Sequence, residues 1–115
     1  MPRLATTADV FSAVAEPRRR RILGLLADGE RPVNDIVRRL RIPQPQVSKH
    51  LGVLRAVDLV TVRGDGQQRL YSLNAIRLRP IHDWVAGFER LWNERFDRLA
   101  SCLDDLQKKE PPRES

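Results

Sequence analysis

The sequence has little of the chemistry that marks secreted or membrane proteins. One cysteine in 115 residues excludes a framework of internal disulfides and fits a reducing cytoplasm. No apolar run approaches the ~20 residues of a membrane-spanning helix, and the amino-terminal segment lacks the apolar core of a signal peptide. We therefore expect a single cytoplasmic domain over residues 1–107, followed by a polar, disordered tail at 108–115.

Catalytic and metal-binding patterns are equally scarce. The sequence has no glycine-rich phosphate loop after a strand and no nucleophile elbow, and its two histidines, His50 and His82, fall on different predicted elements. Zinc needs four well-placed nitrogen, oxygen or sulfur donors, which these histidines and the isolated Cys102 do not supply. The sequence therefore predicts no enzyme, no metal site and no cofactor.

Positive charge, in contrast, is present in excess and unevenly distributed. Residues 1–57 hold 11 Lys/Arg and 5 Asp/Glu, residues 58–74 hold 2 of each sign, and residues 75–115 hold 8 of each. The whole net charge of +6 thus lies in the first half. This asymmetry indicates a polyanionic partner. A membrane is not expected, because no stretch combines a basic face with a large apolar face available for insertion.

The most informative stretch lies within that basic half, at residues 33–57. Its first part places apolar residues at helical spacing, namely Val33, Ile36, Val37 and Leu40. Pro43 interrupts the pattern, because proline lacks a backbone donor and biases its predecessor away from the helical region. A second helix restarts near Gln44, with Val47, Leu51 and Leu54 on one side and small or polar residues on the other. This pattern favours a helix-turn-helix whose second helix enters the DNA major groove; an ordinary helical hairpin is the alternative.

Two further helices are predicted upstream, one capped by Thr6 or Thr7 and one that begins at Pro17. The second opens with four consecutive arginines, residues 18–21. Consecutive helical residues point in nearly all directions, so at most two of these arginines could face one DNA backbone. The alternative is that one packs or pairs internally while the others are solvated.

Residues 59–73 carry the signal of a β-hairpin. Two β-rich runs flank the turn sequence Gly64-Asp65-Gly66. A hairpin directly after a recognition helix is the order of a winged helix. Four polar residues at or near its tip could reach the DNA backbone or minor groove, namely Arg63, Gln67, Gln68 and Arg69. A hairpin that merely completes the core is the alternative.

Beyond Asn74, which could cap it, one long helix of about seven turns is predicted, with its true start near Pro80. Its apolar stripe comprises Ile81, Trp84, Val85, Phe88, Leu91, Trp92, Phe96, Leu99, Leu103 and Leu106. A chain of this size cannot bury the whole stripe alone, which favours a two-fold dimer over a helix folded back on its own domain.

With these elements in order, the chain resembles the ArsR/SmtB family of bacterial winged-helix repressors. The matching residues span roughly 9–106 and include Ala15-Glu16-Pro17, Arg19, Ile22, Leu23, Val47-Ser48, Leu51, Leu54, Leu59-Val60, Gly66, Arg69 and Tyr71. The most specific segment is QVSKHLGVLRAVDLV. The resemblance implies a mainly α fold with a small β-hairpin, in the order α-α-α-α-β-β-α.

The resemblance also implies partners and contact residues. It implies a homodimer, formed through the first and last helices, on an inverted-repeat operator. The interface would comprise Val10, Phe11, Val14, Trp84, Phe88, Leu91, Trp92, Phe96 and Leu99. The operator contacts of the family map onto Gln44, Pro45, Gln46, Ser48 and Lys49. Pro45 departs from the serine often found there, which removes one hydroxyl contact.

The metal sites of the family do not map onto this sequence. Its thiolate site needs cysteines near the third helix, where residues 30–35 contain none. A second family site on the last helix could begin at His82 and Asp83, but its later positions fall near Asn93 and Phe96. The chain is therefore more similar to the subgroup without recognised metal sites, several of which repress their own operons.

Two regulatory features and one rival function complete the expectations. A small organic effector beside the tryptophans, or a redox role for Cys102, has little support in the sequence. The rival is a winged-helix module that acts through protein contacts or binds DNA non-specifically. The concentration of positive charge on the helix-turn-helix half favours a specific DNA-binding repressor, located in the cytoplasm and on the nucleoid.

Overall fold

The computed structural model describes residues 7–109, with side chains from residue 9 to residue 107. The first helices are α1 (Thr7–Val14) and α2 (Pro17–Leu26), followed by strand β1 (Arg31–Pro32). Helices α3 (Val33–Leu40) and α4 (Gln44–Ala56) precede strands β2 (Val60–Asp65) and β3 (Gln68–Leu73). A 3₁₀ turn (Ala75–Leu78) leads into α5 (Arg79–Ala86) and α6 (Glu89–Lys109). The predicted fold class, mainly helical with a small β-sheet, is confirmed.

The chain divides into two compact units, one ending at Ile81 and the other beginning at His82. The core of the first unit lies where α2, α3 and α4 meet the start of β2. Its largest fully buried side chains are Ile22, Ile36, Leu51, Leu54, Leu59, Val10 and Val47. Val10 was expected at a dimer interface, but it is 0% exposed and belongs to this core, because α1 packs against α2 with that side chain inward.

The turn between α3 and α4 has the predicted place and a defined geometry. Arg41 adopts a left-handed conformation with φ of 56° and donates its N–H to Val37 O at 2.8 Å, which ends α3. Ile42 is buried and anchors the turn in the core. Pro43 O then accepts the N–H groups of Gln46 and Val47 at 3.0 and 3.1 Å, which starts α4.

The sheet is larger than the predicted hairpin. Strand β3 lies in the centre, with β2 on one side and the two-residue β1 on the other, all antiparallel. Asp65 pairs with Gln68, so the turn residues are Gly66 and Gln67, two positions beyond the predicted start of the turn. Gly66 has a φ of 64° while Gln67 has no positive φ, the pattern of a two-residue turn with glycine at its first position.

The predicted single carboxy-terminal helix is interrupted. Its chain turns at Gly87, whose N–H donates to Asp83 O and Trp84 O at 3.1 and 3.2 Å. A Cβ at this position would lie 3.2 Å from Trp84 O, so a glycine suits the break. Asn74 is not a side-chain cap; its amide donates to Asp58 O at 2.9 Å instead.

The last helix continues through Lys109, two residues into the segment expected to be a tail, and Thr6 and residues 110–115 lie outside the described residues. Over the described part of the chain, none of the helices is both long and apolar enough to cross a bilayer.

Candidate nucleic-acid interface

Helix α4 has two chemically distinct faces. Val47, Leu51 and Leu54 are buried and fix the helix to the core. All five residues expected to contact the operator are exposed in its first two turns, namely Gln44, Pro45, Gln46, Ser48 and Lys49. Within the described residues Lys49 takes part in no ion pair, so its ammonium group is available to an anionic partner. This face offers donors, acceptors and one cation to a major-groove edge.

The tip of the wing presents three of the four predicted residues. Gln67 lies in the turn, Gln68 begins β3 and Arg69 follows it; all three side chains are exposed. Arg69 shares a sheet face with Tyr71, because alternate residues of a strand point to the same side. A polar tip with one cation is able to contact a phosphate backbone.

Arg63 is the exception, because it lies back from the tip and is engaged within the chain. Its Nε donates to both carboxylate oxygens of Glu30 at 3.0 and 3.1 Å, and its Nη2 donates to Oε1 at 2.5 Å. Ser72 Oγ donates to the same carboxylate at 3.1 Å. The Arg63 hydrogen bond lowers the pKa of Glu30, and Glu30 raises the pKa of Arg63. Arg63 therefore joins the wing to the segment before β1 rather than presenting its charge at the tip.

Asp35 gathers three arginines on and beside α3. Its carboxylate accepts from Arg31 at 2.7 Å, from Arg38 at 2.8 Å and from Arg39 at 3.0 Å. The hydrogen bond from Arg38, followed by that from Arg31, lowers the pKa of Asp35 from 3.8 to about 2. Part of the positive charge counted in the sequence is therefore compensated within α3.

The four consecutive arginines of α2 all contact other parts of the chain. Arg19 Nε donates to Ala13 O at 2.6 Å, and Arg20 Nη1 donates to Val14 O and Ala15 O at 2.8 and 3.1 Å, so both bind the carboxyl end of α1. Arg21 Nη2 donates to Leu40 O at 3.0 Å, at the end of α3, and Arg18 Nη1 donates to Gln46 Oε1. Helix carboxyl ends carry partial negative charge, which suits guanidinium donors. All four arginines make internal contacts, whereas the sequence-based alternative expected only one of them to pack or pair internally.

His50 links α4 to the start of α2. Its side chain is 13% exposed, with Nε2 3.7 Å from Glu16 Oε2 and Nδ1 3.5 Å from Arg19 Nη1. Glu16 also caps α2 by accepting the N–H of Arg19 at 3.1 Å. His50 thus contributes to the packing of α4 against the start of α2.

The second unit carries a continuous exposed apolar stripe. Its large side chains are between 42% and 59% exposed: Trp84, Phe88, Leu91, Trp92, Phe96, Leu99, Leu103 and Leu106. Trp84 and Phe88 pack edge to face, with ring centroids 5.6 Å apart. From Trp92 to Leu106 the stripe advances by alternating steps of four and three residues, the spacing of a two-helix seam. Of the three α1 residues expected at an interface, Val10 is in the core, Phe11 is half-buried and Val14 packs against the core.

Potential metal ligands are dispersed. The part of the chain that the structure describes holds no group of three or more His, Cys, Asp or Glu side chains that could bind a metal ion. His82 Nδ1 lies 3.2 Å from Asp83 Oδ1, both on exposed side chains. Cys102 is also exposed. In the segment where the family's thiolates would lie, Glu30, Arg31 and Asp35 are instead engaged in ion pairs.

Two residues near the interface escaped sequence analysis. Arg18 was weighed only as one of a run, and Glu30 only as a position without a thiol. Neither contact has a local signal, because Arg18 and Gln46 are 28 residues apart and Glu30 and Arg63 are 33 apart. Only the register of the sheet and the packing of α2 on α4 reveal them.

The chain is similar to known transcriptional regulators in both sequence and structure. Residues 14–63 match a family model described as a helix-turn-helix domain. The chain is 35% identical to the transcriptional repressor SdpR of Bacillus subtilis over 80 residues, which is 70% of this chain and 89% of that protein. A crystal structure of a possible transcriptional regulator for arsenical resistance is 36% identical with a TM-score of 0.61, covering 81% of this chain and 94% of its own. An ArsR-like transcriptional regulator from Rhodococcus sp. RHA1 is 26% identical with a TM-score of 0.62, covering 92% of this chain and 94% of its own.

Proposed function

The chain belongs to the ArsR/SmtB family of winged helix-turn-helix transcriptional regulators, which bind DNA and are not enzymes. From this premise we propose that it is a repressor that recognises an inverted-repeat operator as a homodimer and controls its own operon. The observation that carries the proposal is the amphipathic character of α4, whose apolar face is buried while its polar face is exposed.

Sequence recognition is assigned to the first two turns of α4. Gln44 can pair with an adenine edge, Ser48 with several base or phosphate acceptors, and Lys49 with guanine or phosphate. Pro45 is the second residue of the helix, where its missing N–H is tolerated, and it offers an apolar contact to a base edge. The tip of the wing, at Gln67, Gln68 and Arg69, contacts the adjacent backbone and fixes the orientation of the subunit.

Dimerisation is assigned to the apolar stripe of the second unit. Trp84, Phe88, Leu91, Trp92, Phe96 and Leu99 form its amino-terminal part, and Phe11 of α1 is assigned to the interface separately. A second copy is the partner that such a stripe of large side chains fits, since two-fold interfaces are self-complementary. A two-fold dimer places its two recognition helices in successive major grooves about 34 Å apart, which explains an inverted repeat.

The proposed repressor acts in the cytoplasm, on the nucleoid, and without a metal effector. In support, the segment at the family's thiolate position holds Arg31 and Asp35, which pair with each other, and Glu30, which pairs with Arg63. Among the described residues, His82 and Asp83 are not part of a group of three or more His, Cys, Asp or Glu side chains that could hold a metal ion. No small-molecule effector is assigned.

A fluorescence-anisotropy titration tests the proposal. A labelled duplex from the region upstream of the gene is compared with a scrambled duplex of equal length, at several salt concentrations. A preference of about 10³ or more for the upstream duplex supports a specific regulator, and an unchanged titration after addition of zinc or EDTA supports metal independence. Equal weak binding to both duplexes favours non-specific DNA binding, and no binding at low salt favours a module that acts through protein contacts.

A further inference from the structure

The contact between Arg18 and Gln46 joins α2 to the exposed face of α4. Arg18 Nη1 donates to Gln46 Oε1, and both side chains are exposed. Gln46 lies in the first turn of α4, beside the positions to which base contacts are assigned. An arginine has only donors, so the oxygen of the Gln46 amide faces Arg18 and its nitrogen faces away. The contact therefore fixes the orientation of an amide that would otherwise be able to turn over.

The position of Arg18 is itself determined by its neighbours on α2. Arg19 Nε donates to Ala13 O at the end of α1, and Arg21 Nη2 donates to Leu40 O at the end of α3. Glu16 caps the amino terminus of α2 through the N–H of Arg19. These contacts hold the first turn of α2 beside the turn that precedes α4, where the Arg18 side chain reaches Gln46.

The orientation of the amide decides which base edge it can recognise. A glutamine pairs with adenine by accepting from N6 through Oε1 and donating to N7 through Nε2. With one of the two lone pairs of Oε1 taken by Arg18, the pair presents mainly donors, which are the two N–H groups of Nε2 and the other N–H groups of Arg18. Guanine is the base whose major-groove edge presents two acceptors, N7 and O6.

We infer that Arg18 and Gln46 act as one unit of donors that selects guanine at one position of each operator half-site, with Arg18 as the positioning residue for Gln46. The inference rests on the proposed function, because it requires a specific operator. It extends the DNA-recognising surface to α2, a helix outside both the helix-turn-helix and the wing.

The test measures base preference at every position of the half-site. Anisotropy titrations compare operator duplexes in which each base pair is replaced in turn, for the full-length parent and its variants. For the parent we expect guanine to be preferred at one position of the half-site. Gln46→Ala should reduce the base preference at that same position. Arg18→Ala should lower the preference for guanine over adenine at that position by about tenfold, the size of one good base contact. Other positions should be unchanged, and Arg18→Lys, which keeps a donor, should restore part of the preference.

Arg20→Ala is the matched control, because Arg20 lies on the same helix but donates to Val14 O and Ala15 O. It should leave the base preferences of the parent unchanged. Circular dichroism and sedimentation establish that each variant is folded and has the assembly state of the parent. An Arg18→Ala variant that binds all duplexes more weakly by one common factor would reveal a phosphate contact and overturn the inference, as would an unchanged profile. A parent without any preference among duplexes would refute the proposed function before the variants are compared, and the inference with it.

Discussion

Arg63 and Arg69 have different surroundings in the wing, although both were expected to contact DNA. Arg63 pairs across the sheet with Leu70, and Arg69 pairs with Gly64, so their side chains leave opposite faces of the hairpin. Arg63 is bound to Glu30, whereas Arg69 lies next to the tip. Replacing each arginine with alanine should therefore change different properties of the protein.

The expected magnitudes follow from exposure and charge. The Arg63 side chain is 58% exposed and that of Glu30 is 32% exposed, and ion pairs this accessible contribute little to stability because water screens them. Arg63→Ala should lower Tm by about 1–6 °C for a domain of this size, with little change in operator affinity. Arg69→Ala should instead reduce the slope of log K against log salt concentration by about 0.9 per wing, or about 1.8 for a dimer, because one phosphate contact is lost in each subunit.

The assay combines thermal unfolding with anisotropy titrations between ~50 and ~200 mM salt. A double-mutant cycle with Glu30→Gln isolates the coupling between Glu30 and Arg63, which should account for most of the lost stability. A slope that falls as much for Arg63→Ala as for Arg69→Ala would refute the assignment. It would show that the ion pair opens on DNA and that Arg63 binds a phosphate.

Three further predictions concern the recognition helix, the dimer and acid stability. Ser48→Ala or Lys49→Ala should cost about 1–3 kcal/mol of operator binding for a lost base contact and leave the dimer intact; parent-like operator affinity in both variants would contradict the recognition-helix assignment. Phe88→Asp combined with Trp92→Asp should give monomer or unfolded chain in sedimentation velocity, and a folded, unchanged dimer would exclude the stripe as the interface. The pKa of Asp35 is lowered from 3.8 to about 2, so its stabilising contribution is complete above the higher value and is lost as pH falls through the lower. Asp35→Asn should accordingly be less stable than the parent at neutral pH, with a difference that narrows in acid unfolding curves; a difference independent of pH would rule out this ion cluster as its source.

The sequence was sufficient to predict the elements whose signals are local. The apolar spacing from Val33 to Leu40, the break before Pro43 and the restart at Gln44 correspond to α3, the turn and α4. The side of α4 that faces the core was also evident, because three apolar residues at helical spacing leave one possible buried face. The five residues expected to contact the operator are therefore exposed as predicted.

The predictions were wrong where an element depends on residues far apart in the sequence, or where a local backbone preference competes with the apolar pattern. Two-residue β1 exists only because Arg31 and Pro32 pair with Tyr71 and Leu70, far along the chain. The stripe of the last helix continues through the break at Gly87, so periodicity alone suggested one helix.

In the candidate site, too, the features that depend on residues far apart in the sequence were not predicted. The turn of the wing offered two glycines, and the strand register selects Gly66 over Gly64. The internal use of the arginine run could not be foreseen, since its acceptors are main-chain carbonyls of other helices. A main-chain carbonyl has no signature in a sequence.

The division of the chain at Ile81 has a consequence for how such regulators diversify after gene duplication. The residues assigned to DNA all precede it, whereas nearly all those assigned to pairing between subunits follow it. Two paralogues in one cell could thus stop exchanging subunits through changes confined to residues 82–109, while both keep the same half-site. Conversely, a chimera that exchanges only this segment should inherit the choice of partner from one parent and the choice of promoter from the other.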